Sequence, residues 1–225
     1  TATLPPAEPL CITELLYDGS EPGEGDEFVE IWNPLAWPVP LAGYKIGDEE
    51  QRVPWGSGGE GMYRFPDDAV IGAGQTLVVA RSAEAFFHRF GFWPDYQFQG
   101  DSPAAPRQWA LTNTGDEALL LGPSDEIVSA VAYRGGELGA LGLVGNFAAP
   151  APSSMQRLRD SASGDLCQDF VAQPPNPGQI TDLPNAPAPP TPVPVAGQFY
   201  AYLGDLHGYS AFSEGAAPPA YLFAA

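Results

Sequence analysis

The 225-residue chain carries 28 acidic and nine basic side chains, for a formal net charge of −19. Phosphate contacts need clustered cations, and here one Lys (Lys45) and eight scattered Arg offer none, so nucleic acid and anionic membrane surfaces are not expected partners. A hydrophobic share of 44% excludes wholesale disorder, while 26 Gly and 26 Pro favour short strands and turns over helical bundles.

Residues 1–9 read as an extended leader. ITELLY (12–17) then alternates Ile12, Glu14 and Leu16 against Thr13, Leu15 and Tyr17, the period of a strand. In EFVEIW (27–32), Val29 and Ile31 share one face and Phe28, Glu30 and Trp32 the other. LAGYKIG (41–47) holds a third strand, TLVVA (76–80) a fourth, EALLLG (117–122) a fifth, and IVSAVAY (127–133) a cleanly alternating sixth. This pattern predicts an all-β, antiparallel β-sandwich. One helix interrupts it: Ser82 can cap, Ala83–Arg89 can make two turns, and Gly91 can end them, with Phe86 and Phe90 on one face. After Gly178 the composition changes. Residues 184–195 hold six prolines in twelve positions, a polyproline II-like stretch of about 35 Å at about 3.1 Å per residue. A Pro-rich linker is therefore expected over 180–197, between a sandwich at 10–179 and an apolar segment at 198–225. No apolar run approaches the roughly 20 residues of a membrane span, so membrane insertion is not expected.

Few residues outside the strands suggest chemistry. The loop YDGSEPGEGDE offers Asp18, Glu21, Glu24, Asp26 and Glu27, a set of hard oxygens that calcium favours. Its spacing departs from an EF-hand, and the expectation is a solvated loop, with calcium as the alternative. Glu30, between Phe28 and Trp32, is expected to pair with an Arg across the sheet. Trp37, Trp55 and Trp93 lie in loops, where they either plug the ends of a sandwich or stack on sugars; Trp32 and Trp109 are expected in packing roles. His88 is isolated on the helix, with no paired carboxylate nearby, and reads as a surface or half-buried packing residue. Ser153 and Ser154 lack a nucleophile-elbow context, and GSGGEGM lacks the Lys-Ser/Thr ending of a P-loop. Cys11 and Cys167 bracket most of the sandwich. A disulfide closing that loop would stabilise by about 5 kcal/mol and needs an oxidising compartment; two unpaired core thiols are the other reading.

The order of ITELLYDG, DEFVEIWNP, LAGYKIGD, FPDDAVIGAGQTLVVAR, AFFHRFG, LTNTGDEALLLGPSDEIVSAVAY and SSMQRLRDSASGDLCQDFVAQPPNPG resembles the lamin tail domain family. The resemblance implies an immunoglobulin-like sandwich and a non-catalytic accessory module of secreted or cell-surface proteins, often beside hydrolases. It implies contacts with a protein or a cell-envelope polymer, and it brings no catalytic residues. A stand-alone protein- or carbohydrate-binding module is the alternative.

The last 28 residues resemble the opening of the PHP family of metal-dependent phosphoesterases, whose Asp-Leu-His-x-His run is followed by Ser-Asp-Gly. Here Asp205-Leu206-His207-Gly208-Tyr209 precedes Ser213-Glu214-Gly215. The resemblance implies His207 as a metal ligand, Glu214 as a second candidate, and zinc, manganese or iron as the metal. Two His at i and i+2 on a strand reach one metal from one side, and metal-activated water then attacks phosphorus. Tyr209 in the second His position departs from the pattern, because a phenol with a pKa near 10 ligates poorly at neutral pH. The chain opens on Thr rather than Met and stops shortly after this motif, so it reads as a processed or shortened protein cut inside an α/β domain and inactive by itself.

Overall fold

The computed structural model describes residues 10–48, 61–99, 109–138, 143–145, 147–158, 170–180, 193–195 and 199–201. The strands are β1 (Cys11–Leu16), β2 (Phe28–Trp32), β3 (Val39–Pro40), β4 (Lys45–Gly47), β5 (Met62–Arg64), β6 (Val70–Ile71), β7 (Thr76–Ala80) and β8 (Tyr96–Gln97). They continue with β9 (Asp116–Leu121), β10 (Ile127–Tyr133), β11 (Glu137–Leu138), β12 (Leu143–Val144), β13 (Ser154–Arg157), β14 (Phe170–Gln173), β15 (Val193–Val195) and β16 (Phe199–Ala201). Chain contacts divide the protein into Thr1–Asp182 and Leu183–Ala225. In the second unit β15 pairs antiparallel with β16, so residues 193–195, expected in the linker, form a strand.

The first unit is an immunoglobulin-like β-sandwich with one short helix, α1 (Ala83–Phe90). A six-stranded sheet of order β14-β13-β1-β2-β7-β8 faces a four-stranded sheet of order β10-β9-β4-β5. Ile12, Leu15, Val29, Ile31, Val79 and Met155 of the first sheet pack with Ile46, Tyr63, Leu120, Val131 and Tyr133 of the second in one buried core. Within it the Tyr17 and Tyr133 rings stack at 4.0 Å. The Tyr17 hydroxyl donates to the Ala149 carbonyl at 2.8 Å, which satisfies a polar tip that burial would otherwise penalise.

Two departures from simple alternation shape the sheets. The β1–β2 register shifts between Ile12 and Glu14, and the β10–β9 register shifts between Ile127 and Ser129. An extra residue flips the side-chain faces. Ile12 therefore joins Leu15 and Tyr17 in the core rather than Glu14 and Leu16, and Val128 and Val131 both point inward. The shifts answer one another, since Ile12 N–H donates to Ser129 Oγ at 3.1 Å between the sheets. The second departure is β8, which pairs parallel with β7. The helix between them carries the chain back to its starting end, as a crossover must.

Helix α1 follows its sequence signals. Ser82 accepts from Ala85 N–H, and Gly91 adopts φ 80°, the left-handed conformation of a C-terminal glycine, while its N–H bonds Phe87 O. Replacing Ser82 by Ala should lower stability by about 1 kcal/mol in equilibrium denaturation; an unchanged midpoint would show that the cap contributes nothing.

Candidate functional site

The outer face of the six-stranded sheet gathers the features that bear on function. At the β2–β7 side, α1 closes over Leu16, Phe28, Val78 and Ala80 through Phe86 and Phe90. The Phe28 ring meets Phe86 edge-on at 5.5 Å and Phe90 at 5.6 Å. This apolar seam fixes the helix and thereby what its far side displays.

Beside the helix lies a buried polar cluster. Glu14 and Glu30 are direct cross-strand partners in β1 and β2, and both side chains are buried. Glu14 Oε1 accepts from Ser154 Oγ at 2.5 Å, from Gln156 Nε2 at 3.3 Å and from Asn176 N–H at 3.1 Å. Glu30 accepts from Thr13 Oγ1 at 2.7 Å and from Gly178 N–H at 2.6 Å. Neutral donors therefore replace the Arg expected for Glu30 from the sequence. Burial pushes the Glu14 carboxyl up to about 7 and that of Glu30 to about 8, against the pull of these hydrogen bonds.

The acidic loop is not simply solvated. Asp26 is buried, accepts from the Ser20 and Glu21 N–H groups, and is paired with Arg89 of α1. Although burial opposes it, these donors hold the Asp26 carboxyl below its ordinary value. Glu27 is buried against Arg81 at 2.9 Å, and burial still pushes it up to about 8. Asp18 faces Arg134 at 3.5 Å. Glu21 lies 3.1 Å from His88 Nδ1, so this exposed His has the carboxylate neighbour that the sequence did not reveal. Arg81 and Arg134, just past the ends of β7 and β10, and Arg89 of α1 thus organise the loop. Among the described residues no group of three or more His, Cys, Asp or Glu is arranged to hold a metal ion.

The far side of α1 displays aromatic surface. Phe87, Phe92 and Trp93 are 40%, 41% and 62% exposed, and the Phe87 and Trp93 rings stack at 4.5 Å. Trp93 thus neither plugs a sandwich end nor enters the core, and Trp37 is likewise exposed. Trp109 packs in the core at 4.4 Å from Phe98, and Trp32 is half-buried with its indole N–H on Gly74 O. Trp55 lies outside the described residues.

The family model of the lamin tail domain matches residues 4–135, more than half of the chain. The chain belongs to the lamin tail domain family. No curated protein matches it. The lamin tail domain match ends at residue 135, yet β13 and β14, which complete the six-stranded sheet, come later. The Glu14–Glu30 cluster therefore combines residues inside and beyond the matched segment.

Of the other residues singled out in the sequence, Cys11 opens β1 opposite Trp32, while Cys167 lies outside the described residues, as do His207 and Glu214. The hydrogen-bonding roles of Glu14, Gln156 and Asn176 carried no sequence signal beyond a Glu in an otherwise apolar strand.

Proposed function

We propose that this lamin tail domain is a non-catalytic binding module that docks a partner protein on the Phe87–Phe92–Trp93 surface. The carrying observation is that stack of exposed aromatic rings, held rigidly by the Phe28–Phe86–Phe90 seam beneath it. Exposed clustered aromatics are typical of interface anchors. Glu84, one turn before Phe87, adds an exposed carboxylate beside the rings. A partner segment bearing Arg or Lys beside an apolar anchor complements both the charge and the ring faces. Glu14, Asp26, Glu27 and Glu30 are all engaged by neighbours within the sandwich, which supports a structural rather than a catalytic use of its carboxylates.

The test is fluorescence anisotropy of labelled peptides of equal length, one Arg-rich and aliphatic, one acidic. The Arg-rich peptide should bind, with affinity falling about 30-fold in Trp93→Ala and on raising salt. Equal affinity for both peptides would sink the assignment. Binding of a cell-envelope oligosaccharide instead, lost in Trp93→Ala, would reassign the face to a polymer.

The surrounding protein belongs to the same proposal. Asp205-Leu206-His207 and Ser213-Glu214-Gly215 support continuation into a PHP-type phosphoesterase domain that this module positions, using zinc, manganese or iron. Metal analysis and phosphoester hydrolysis on a chain extended past Ala225 decide it; a metal-free, inactive protein would leave the binding module alone. A secreted or surface location accords with a Cys11–Cys167 bridge, and two titratable thiols in unreduced, denatured protein would remove that support.

A further inference from the structure

The Glu14–Glu30 pair also anchors a segment that follows the last strand of its sheet. The segment from Pro174 to Gly178 lies over the two carboxylates and is held there by three polar contacts. Asn176 N–H bonds Glu14, Gly178 N–H bonds Glu30, and Gln156 Nε2, itself on Glu14, bonds the Pro174 carbonyl at 2.8 Å. Each link runs through one of the two carboxyl groups or through a side chain that one of them holds.

We propose that Glu14 and Glu30 form a proton-controlled clasp, closed on segment 174–178 while the pair keeps a proton and opened when both carboxyls ionise. The facing positions are adjacent Cα partners across β1 and β2, so two full charges there repel inside a face that excludes water. With one proton retained, the pair offers enough acceptor atoms for Asn176, Gly178, Ser154 and Thr13 without that repulsion. Glu14 Oε2, buried and without a hydrogen-bond partner among the described residues, is the natural seat of the proton. Loss of the last proton to solvent base leaves two buried anions, and lifting the segment is the direct way to hydrate them.

The charged groups facing the pair pull in opposite directions. Arg89 of α1 favours the ionised form of Glu14, and Asp95, just after α1, disfavours that of Glu30. Strand β13 and the segment contribute the neutral Ser154, Gln156 and Asn176. The two sites are coupled, so they titrate as a pair. Burial places their carboxyls at about 7 and about 8, which puts the opening between neutral and mildly alkaline pH.

Amide hydrogen exchange on the full chain at pH 6 and pH 9, corrected for intrinsic rates, tests the clasp. Protection at Asn176 and Gly178 should fall at least tenfold more than in the β9–β10 ladder. A parallel change at both places would overturn the proposal. The double variant Glu14→Gln/Glu30→Gln keeps acceptors but cannot ionise, and it should hold its protection at pH 9; loss equal to that of the unmodified chain would also overturn it. Should that variant not fold, carbon-13 titration of the two carboxyls in the unmodified protein decides. A midpoint above pH 6 for at least one supports the clasp, and both below 6 refute it.

Discussion

Ending the chain at Gly135, where the family match stops, is expected to abolish cooperative folding, whereas ending it at Asp182 should leave the melt intact. Residues 136–182 are not an appendage. They supply β13, which pairs with β1 at Glu14↔Gln156 and Leu15↔Met155, and β14 beyond it. They also bury Ala149, Met155, Leu158 and Phe170. Full burial of a Met, Leu or Phe side chain is worth about 1.5–3 kcal/mol, so their joint loss approaches the about 5–15 kcal/mol by which a domain is stable. The cut would also strip Glu14 of Ser154, Gln156 and Asn176, and Tyr17 of its acceptor, leaving buried polar groups without partners. Circular dichroism melts of the two shortened chains are sufficient. A single sharp transition in the chain ending at Gly135 would show that the matched segment folds without its last two sheet strands.

Stability should peak on the acid side of neutrality and fall steeply towards pH 8.5. Glu14, Glu27 and Glu30 are raised by burial to about 7, 8 and 8, so the folded state binds more protons than the unfolded state from about pH 4.5 upward. With more protons on the folded side, the unfolding free energy decreases as pH rises. The contribution of each group is fully present below its unfolded value and is lost through its folded one. For Glu14 the displacement from 4.5 to about 7 corresponds to about 3 kcal/mol. Asp26 is held low, so it works the other way: its support is present above about pH 4 and fades in stronger acid. Urea midpoints should therefore be highest near about pH 4–5, where the three raised carboxyls contribute almost fully and Asp26 is still ionised. Glu14→Gln and Glu30→Gln should each flatten the alkaline fall. A midpoint that rises steadily from pH 5.5 to 8.5 would contradict this account.

Element limits that are set locally were legible from the sequence. β7 and β10 have the expected limits, and α1 carries the expected cap at Ser82 and stop at Gly91. Each of these signals sits within a few residues of the structure it specifies. The bulges in β1 and β10 were not legible, because Ile12 turns inward in company with Ser129, 117 residues away. The candidate site was read less well, for the same reason. Glu30 sits between Phe28 and Trp32 as alternation requires, but its partners come from Thr13 and Gly178 rather than from an Arg. The acidic loop looked solvated because Arg81, Arg89 and Arg134, which bind it, lie more than 50 residues further along. Exposure of Trp93 depends on which way α1 faces, and the Phe86–Phe90 pair shows this only once Phe28 is known to lie beneath it.

The position of β1 also affects how the protein is made. It is an interior strand of its sheet, flanked by β2 and by β13, but its two neighbours leave the ribosome far apart in time. The β1–β2 hairpin can close at once, whereas Ser154 emerges 140 residues after Glu14. At about 5–20 residues per second this interval is about 7–30 s. Throughout it, the open edge of β1 offers unpaired backbone groups to any passing strand. Glu14, not yet enclosed, remains a hydrated anion whose charge discourages such pairing until β13 arrives to take the place.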